Sequence, residues 1–256
     1  MKRVAERPWV LVAAGLDPSG RAGLLADVSA VLDAGGQPLA VATALTAQGR
    51  RFTVSAVASG LLGAQLDAAL ESGRPCAVKV GMVADRRSLA VLVKRVGRLG
   101  VPVVVDPVVR SSRGQPLSRL GAGEYRGLAC PEVWLTPNVP ELQWLVGRRV
   151  PPRSVDEVKE LGATLLADGF GAVVVKGGHL PGLPVDVLLM PDRVIAFSGT
   201  RLARGAGHRG TGCRFASTLA TALARGADAE AAVRASRAAV RRHLRGRGAA
   251  PQLSAH

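Results

Sequence analysis

The residues of this chain predict an α/β domain with a mostly parallel central sheet and helices on both faces, and three observations carry that reading. Short apolar runs such as Pro8 to Ala14, Val101 to Val105 and Ala172 to Val175 lack the alternating polarity of a half-exposed strand, so they are expected to be buried on both sides. Longer stretches with the helical spacing of apolar residues lie between them, an alternation that builds strand–helix–strand units. The runs end in glycines or lone polar residues, at the edge where ligands bind in an open parallel sheet. With 256 residues and no shift in composition, one domain is expected over 1–256, its core at about 8–245 and a basic tail at 246–256.

In chain order, Pro8 to Ala14 is the first strand, and the glycine-rich loop Gly15-Leu16-Asp17-Pro18-Ser19-Gly20-Arg21-Ala22-Gly23 opens into a helix running to about Ala34. The loop is a substrate-contact candidate; Asp27, a turn into the helix, is either an exposed acid or a carboxylate reaching back over the loop. Pro38 to Leu45 reads as the second strand, ending at Thr46-Ala47-Gln48-Gly49, with an amide at Gln48 that can both donate and accept. A strand near Phe52 to Ala58, a helix from Leu61 to Leu70 and a strand from Cys76 to Val80 follow, the last ending Gly81-Met82. After a helix over Arg86 to Leu99, the run Val101 to Val105 delivers Asp106 at its tip, and Ser111 to Leu117 reads as a polar, lid-like loop.

The second half repeats the pattern. Val133 to Leu135 leads through Thr136-Pro137-Asn138 into a helix, and Asn138 with Glu141 suits a hydrated magnesium ion, which prefers oxygen ligands and keeps its waters. A helix over Val155 to Ala167 precedes the strand Ala172 to Val175, which ends in Lys176-Gly177-Gly178-His179; a lysine there can neutralise phosphate oxygens. Val185 to Met190 and Arg193 to Phe197 form a hairpin, and helices over Thr211 to Arg225 and Ala229 to Leu244 close the chain.

The last motif, Arg209-Gly210-Thr211-Gly212-Cys213, stands before the apolar run Phe215 to Ala224. A helix beginning at Thr211 or Gly212 aims its unpaired N–H groups at an anion, and the glycines let that anion come close. The same field is expected to lower the pKa of Cys213 and so fit it as a base or nucleophile. The overlapping Gly205 to Gly210 pattern follows no strong strand and is not expected to bind a dinucleotide, and there is no G-x-x-x-x-G-K-[ST] phosphate loop.

Composition narrows the partners. No apolar run is long enough to span a membrane and the short segment after Met1-Lys2-Arg3 does not make a signal peptide, so a cytoplasmic protein is expected. Three scattered cysteines, Cys76, Cys130 and Cys213, form neither a disulfide framework nor a zinc site. The net charge is +15, and Arg234, Arg237, Arg241, Arg242, Arg245 and Arg247 form a basic patch near the end. Aromatic residues are only 3%, so the patch lacks a stacking platform; a solvated face is expected there, not nucleic-acid binding.

Read together, Gly15-Leu16-Asp17-Pro18-Ser19-Gly20, Thr46-Ala47-Gln48, Lys79-Val80-Gly81-Met82, Val105-Asp106-Pro107-Val108, Thr136-Pro137-Asn138, Val175-Lys176-Gly177-Gly178-His179 and Gly210-Thr211-Gly212-Cys213 resemble, in the same order, the motifs of hydroxymethylpyrimidine and phosphomethylpyrimidine kinases. The resemblance implies a ribokinase-like fold and an ATP- and magnesium-dependent enzyme of thiamine biosynthesis, usually a homodimer. It would phosphorylate 4-amino-5-hydroxymethyl-2-methylpyrimidine and then its monophosphate. By the same resemblance Gln48, Gly15, Ala22, Asp27, Met82 and Val108 would hold the pyrimidine, and Cys213 would be the base. The amides of Gly210, Thr211, Gly212 and Cys213 would stabilise the transferred phosphoryl group, while Asp106, Asn138, Glu141 and Lys176 would manage phosphates and magnesium.

The chain departs from that family at several places. Arg21 and Leu25 stand where glycine and glutamine are usual, Arg209 replaces a histidine, and Ser112-Arg113 replaces a lysine–serine pair. Arg21 is expected to bring a guanidinium suited to phosphate and so to favour the monophosphate. Two alternatives remain open: a pyridoxine or pyridoxal kinase on the same scaffold, and a degenerate kinase acting as a ligand sensor or nucleic-acid-binding regulator.

Overall fold

The computed structural model describes residues 7–201 and 209–246; the first residues of the Gly205 to Gly210 pattern and the tail from 247 on lie outside the described residues. The first strand, β1 (Trp9–Leu16), is followed by α1 (Gly23–Asp33), β2 (Gln37–Gln48) and β3 (Phe52–Ala56). Then come α2 (Ser59–Ser72), β4 (Pro75–Val80), α3 (Arg86–Val96), β5 (Val103–Val105), α4 (Ala122–Arg126), β6 (Val133–Leu135) and α5 (Val139–Leu145). The chain continues through α6 (Val155–Ala167), β7 (Ala172–Val175), β8 (Val185–Met190), β9 (Arg193–Ser198), α7 (Thr211–Ala224) and α8 (Ala229–Gly246).

The strands form one sheet in the order β3-β2-β1-β4-β5-β6-β7-β8-β9. Pairs from β2 through β7 are parallel, whereas β3, β8 and β9 add antiparallel edges. The parallel strands are the apolar runs without alternation, and burial on both faces is the reason. Leu11 and Ala13 join the core formed with α2, α3, α5 and α6, while Val10 and Val12 join the one formed with α1, α7 and α8. The order of strands reverses at β1, between β2 and β4, and the loops after β1, β4 and β5 meet there, where a crevice opens at the carboxyl edge.

Helix α7 is the most enclosed helix, with every residue from Phe215 to Ala222 buried. Its alanine, serine and threonine content lets it lie close to β4, β5, α1 and α8, which larger side chains would hold apart. One expectation changes, and one short element is new. β2 does not end at Leu45: its parallel partner β1 stops opposite Leu45, but β2 runs on to Gln48 by pairing antiparallel with β3, so Gln48 sits in a hairpin flap over the carboxyl edge. The short helix α4 has no long apolar period to announce it and starts where the Glu124 carboxylate accepts from the Gly121 amide at 2.8 Å.

Candidate active site

The loops after β1, β4, β5, β6 and β7, the β2–β3 flap and the start of α7 enclose a cleft of about 1000 Å³. The residues expected to hold substrate, phosphates and magnesium line it: Gly15, Ala22, Asp27, Gln48, Met82 and Val108, then Asp106, Asn138, Glu141 and Lys176, with Gly210, Thr211, Gly212 and Cys213 at the start of α7. The Ser111 to Leu117 loop closes on itself through the Ser111 amide to the Gln115 carbonyl at 2.8 Å and contributes Ser111, Ser112, Gly114, Pro116 and Leu117 to the wall.

The floor is the N-terminus of α7. Gly210 caps it with φ +80, a left-handed conformation that L side chains rarely adopt, and a Cβ there would collide with the Arg21 carbonyl oxygen. No side chain caps this helix and its first turn carries no acid, so the leading amides remain open to an anion. At Gly212 a Cβ would stand 3.4 Å from both an Asp106 carboxylate oxygen and Lys176 Nζ; the missing side chain leaves that space to a ligand.

Two cation–carboxylate pairs flank Cys213. Lys176 Nζ lies 2.6 Å from Asp106 Oδ1 and 3.9 Å from Glu141 Oε2, at the phosphate end. Lys79 Nζ donates to Asp27 Oδ2 at 2.7 Å, and Ser217 Oγ donates to Asp27 Oδ1 at 2.8 Å. Asp27 is therefore no exposed acid: it is fully buried and ties α1 to β4 and α7. Burial opposes the charge of Lys79, but the adjacent Asp27 carboxylate holds its pKa above the ordinary value, so the ammonium persists. Residue order places Lys79 within a motif and gives it no role of its own. The signal is a lone lysine inside an apolar strand, because such a residue is almost never fully buried without a partner.

The thiol behaves differently from the expectation. Burial, reinforced by the carboxylates of Asp27 and Asp106, pushes Cys213 up to about 12, although Lys79 and the Gly23 amide pull the other way. The field of one helix terminus does not outweigh desolvation, so the thiol is protonated at neutral pH in the ligand-free site.

Asn138 and Glu141 cap α5 reciprocally. Asn138 Oδ1 accepts from the Glu141 amide at 2.9 Å, and Glu141 Oε2 accepts from the Asn138 amide at 2.7 Å. One Glu141 oxygen is left for a ligand. Burial pushes the Glu141 carboxyl up to about 7 despite the pull of Lys176, which marks a buried carboxylate short of positive charge. Among the described residues no cluster of three or more His, Cys, Asp or Glu could hold a metal alone. The donor set fits a magnesium ion held through water and mainly by phosphate oxygens.

The arginines fall into unexpected places. Arg21 is exposed, and its backbone carbonyl lies against Gly210 at the start of α7. Arg209 instead enters the substrate side, pairing with Asp17 Oδ2 at 3.2 Å and donating to Gln48 Oε1. The basic patch of α8 is more than a solvated face: Arg237 pairs with Asp186 at 2.8 Å and lies over the Phe197 ring, and Arg237 and Arg241 both line the far end of the cleft. Those contacts depend on helix spacing combined with a distant hairpin, which residue order alone does not show.

Known proteins supply the family. Residues 17–254 match the phosphomethylpyrimidine kinase family model. A hydroxymethylpyrimidine/phosphomethylpyrimidine kinase of Rhizobium meliloti (strain 1021) is 33% identical over 230 residues, 88% of this chain and 86% of that one. The crystal structure of the phosphomethylpyrimidine kinase of Clostridium difficile 630 superposes with a TM-score of 0.76 at 29% identity, covering 92% of this chain and 98% of that one. An ADP complex of Bacillus subtilis pyridoxal kinase superposes with a TM-score of 0.82 at 25% identity, covering 91% and 90% of the two chains. With its seven ordered motifs gathered around one cleft and the family match spanning nearly its whole length, the chain belongs to the phosphomethylpyrimidine kinase family.

Proposed function

We propose that this chain transfers the γ-phosphoryl group of ATP to the hydroxymethyl oxygen of 4-amino-5-hydroxymethyl-2-methylpyrimidine, and a second phosphoryl group to the resulting monophosphate, in thiamine biosynthesis. The observation that carries the reading is the uncapped start of α7, with Cys213 between the Lys79–Asp27 and Lys176–Asp106 pairs. Phosphoryl transfer needs positioning and charge stabilisation more than covalent catalysis, and open amides beside a lysine supply both.

In the first reaction the alcohol oxygen forms a bond to the γ-phosphorus as the bond to the bridging oxygen breaks and ADP leaves. The amides of Thr211, Gly212 and Cys213 hold the transferred group, and Lys176 takes up charge on the phosphates. Asp27 and Gln48 hold the pyrimidine against Gly15, Ala22, Met82 and Val108. The alcohol's proton goes to Cys213, which must first release its own proton to solvent, because the ligand-free thiol is protonated. Magnesium, held through water by Glu141 and Asn138, would neutralise charge shared between the phosphates when bound. In the second reaction the nucleophile is a phosphate oxygen that is already largely ionised at neutral pH, so no base is required.

A cytoplasmic site of action belongs to the same reading, since ATP and the pyrimidine are metabolites of that compartment. No helix among the described residues is long and apolar enough to cross a membrane. A homodimer, implied by the family resemblance, belongs to the same reading. The test of the activity is a coupled ATP-consumption assay with hydroxymethylpyrimidine, its monophosphate, pyridoxine and pyridoxal. Turnover highest with the pyrimidines is expected; faster turnover of pyridoxal would replace this reading with the pyridoxal kinase one, and no turnover by folded protein would favour a sensor.

A further inference from the structure

We propose that Arg209 is a positioning residue that fixes the amide of Gln48, so that Gln48 offers an N–H donor to a ring nitrogen of the substrate. This rests on the reading of the cleft as a pyrimidine site.

Two contacts set the amide. A guanidinium can only donate, so its partner at Gln48 has to be the carbonyl oxygen; Arg209 Nη2 bonds to Gln48 Oε1. On the other side, Gln48 Nε2 lies 3.1 Å from Thr46 Oγ1. The Thr46 hydroxyl sends its proton to the Leu16 carbonyl at 3.0 Å, so it can only accept from Gln48. Both neighbours thus demand the same orientation of an otherwise reversible amide. One N–H of Gln48 goes to Thr46 and leaves the second for a ligand lodged beside it.

Arg209 is itself held in place. Asp17 Oδ2 lies 3.2 Å from its guanidinium, and Asp17 is buried and braced by the Ser19 amide at 3.1 Å and the Ser19 hydroxyl at 2.9 Å. His243 Nε2 of α8 contacts the Arg209 carbonyl at 3.2 Å. The arginine side chain is only 20% exposed. It couples the loop after β1, the flap and the entry to α7, three segments that all line the cleft.

The ligand chemistry follows. A donor fixed at Gln48 selects a heteroaromatic ring with an unprotonated nitrogen at that edge, and it penalises the same ring with C–H there because the donor loses its partner. Steady-state kinetics and equilibrium binding on the full chain test this, using hydroxymethylpyrimidine and its two analogues in which one ring nitrogen is replaced by C–H. Arg209→Lys keeps a donor-only cation, Arg209→Ala leaves the amide to the single constraint of Thr46, and Arg209→Glu sets an acceptor against Gln48 Oε1 and beside the Asp17 carboxylate, opposing the native orientation.

In the unaltered chain, one of the two analogues is expected to bind about tenfold or more weakly than the parent. Arg209→Ala should raise KM for the parent about fivefold with little change in kcat and shrink the discrimination against that analogue. Arg209→Lys should retain most of the discrimination, and Arg209→Glu should lose the most affinity. Melting curves of the three variants separate this from unfolding. Equal KM values for Lys, Ala and Glu variants, or discrimination unchanged in Arg209→Ala, would overturn the inference alone; absence of pyrimidine turnover in the unaltered chain alongside turnover of pyridoxal would remove the functional reading as well.

Discussion

Two helices, α5 and α7, begin at the same cleft, and their first turns are built in opposite ways. α5 is closed by its own side chains: Asn138 and Glu141 accept from each other's amides, and a proline follows at Pro140. α7 begins at a left-handed glycine with no side-chain cap and no acid in its first turn. Capping stabilises a helix by occupying amides that otherwise need a partner. The amides that open α5 are therefore already occupied, and what it offers is side-chain oxygen, while α7 leaves its amides for a ligand.

Substitution at Cys213 should have the largest effect on this contrast. Cys213→Ala is expected to lower kcat/KM for the alcohol by about 10²- to 10⁴-fold, the usual worth of a positioned base. The loss should be much smaller with the monophosphate, whose attacking oxygen carries no proton to remove. Comparing the two substrates in one variant checks this; equal losses would make the thiol a spacer in the floor and not a base.

The pKa of the same residue yields a second effect. At pH 7.5 a thiol pushed up to about 12 holds on the order of 10³-fold less thiolate than an ordinary free cysteine. Maleimide or iodoacetamide should modify the exposed Cys76 first, and Cys213 labelling should keep rising with pH well past the ordinary thiol range. Mass-spectrometric mapping over a pH series shows it, and rapid labelling of Cys213 at neutral pH would restore the view that the helix field dominates.

At α5 two consequences are expected together: a loss of stability and, because Asn138 is proposed to hold magnesium through water, a higher magnesium requirement. Asn138→Ala removes the cap on the Glu141 amide and should lower the unfolding free energy by about 1 kcal/mol, read from a urea melt. A larger loss of turnover than Cys213→Ala produces would mean that α5, not α7, holds the reacting group. The smallest effect is expected at Arg21: with its side chain exposed, Arg21→Gly should leave the preference between alcohol and monophosphate unchanged within about twofold.

Much of the architecture is legible because buried parallel strands write themselves as unbroken valine-rich runs, and the polar residue after each run marks the ligand edge. Ala172 to Val175, Lys176 and Asp106 are readable in that way. The hidden parts depend on long-range pairing. Lys79 and Asp27 are 52 residues apart, and Arg209 and Gln48 are 161 apart, so neither partner is visible from the other's local sequence. The direction of the Cys213 shift is hidden too, because residue order shows the helix terminus but not the desolvation and the two nearby carboxylates that oppose it.

The contrast between the two helix starts can be measured through their backbone amides. In ¹⁵N-labelled protein, a non-hydrolysable ATP analogue with magnesium and hydroxymethylpyrimidine should move the amide resonances of Thr211, Gly212 and Cys213 far more than those of Asn138 and Glu141, which already have side-chain acceptors. Unmoved resonances at Thr211 to Cys213, with large shifts confined to Asn138 and Glu141, would place the phosphoryl group at the wrong helix for the mechanism given above.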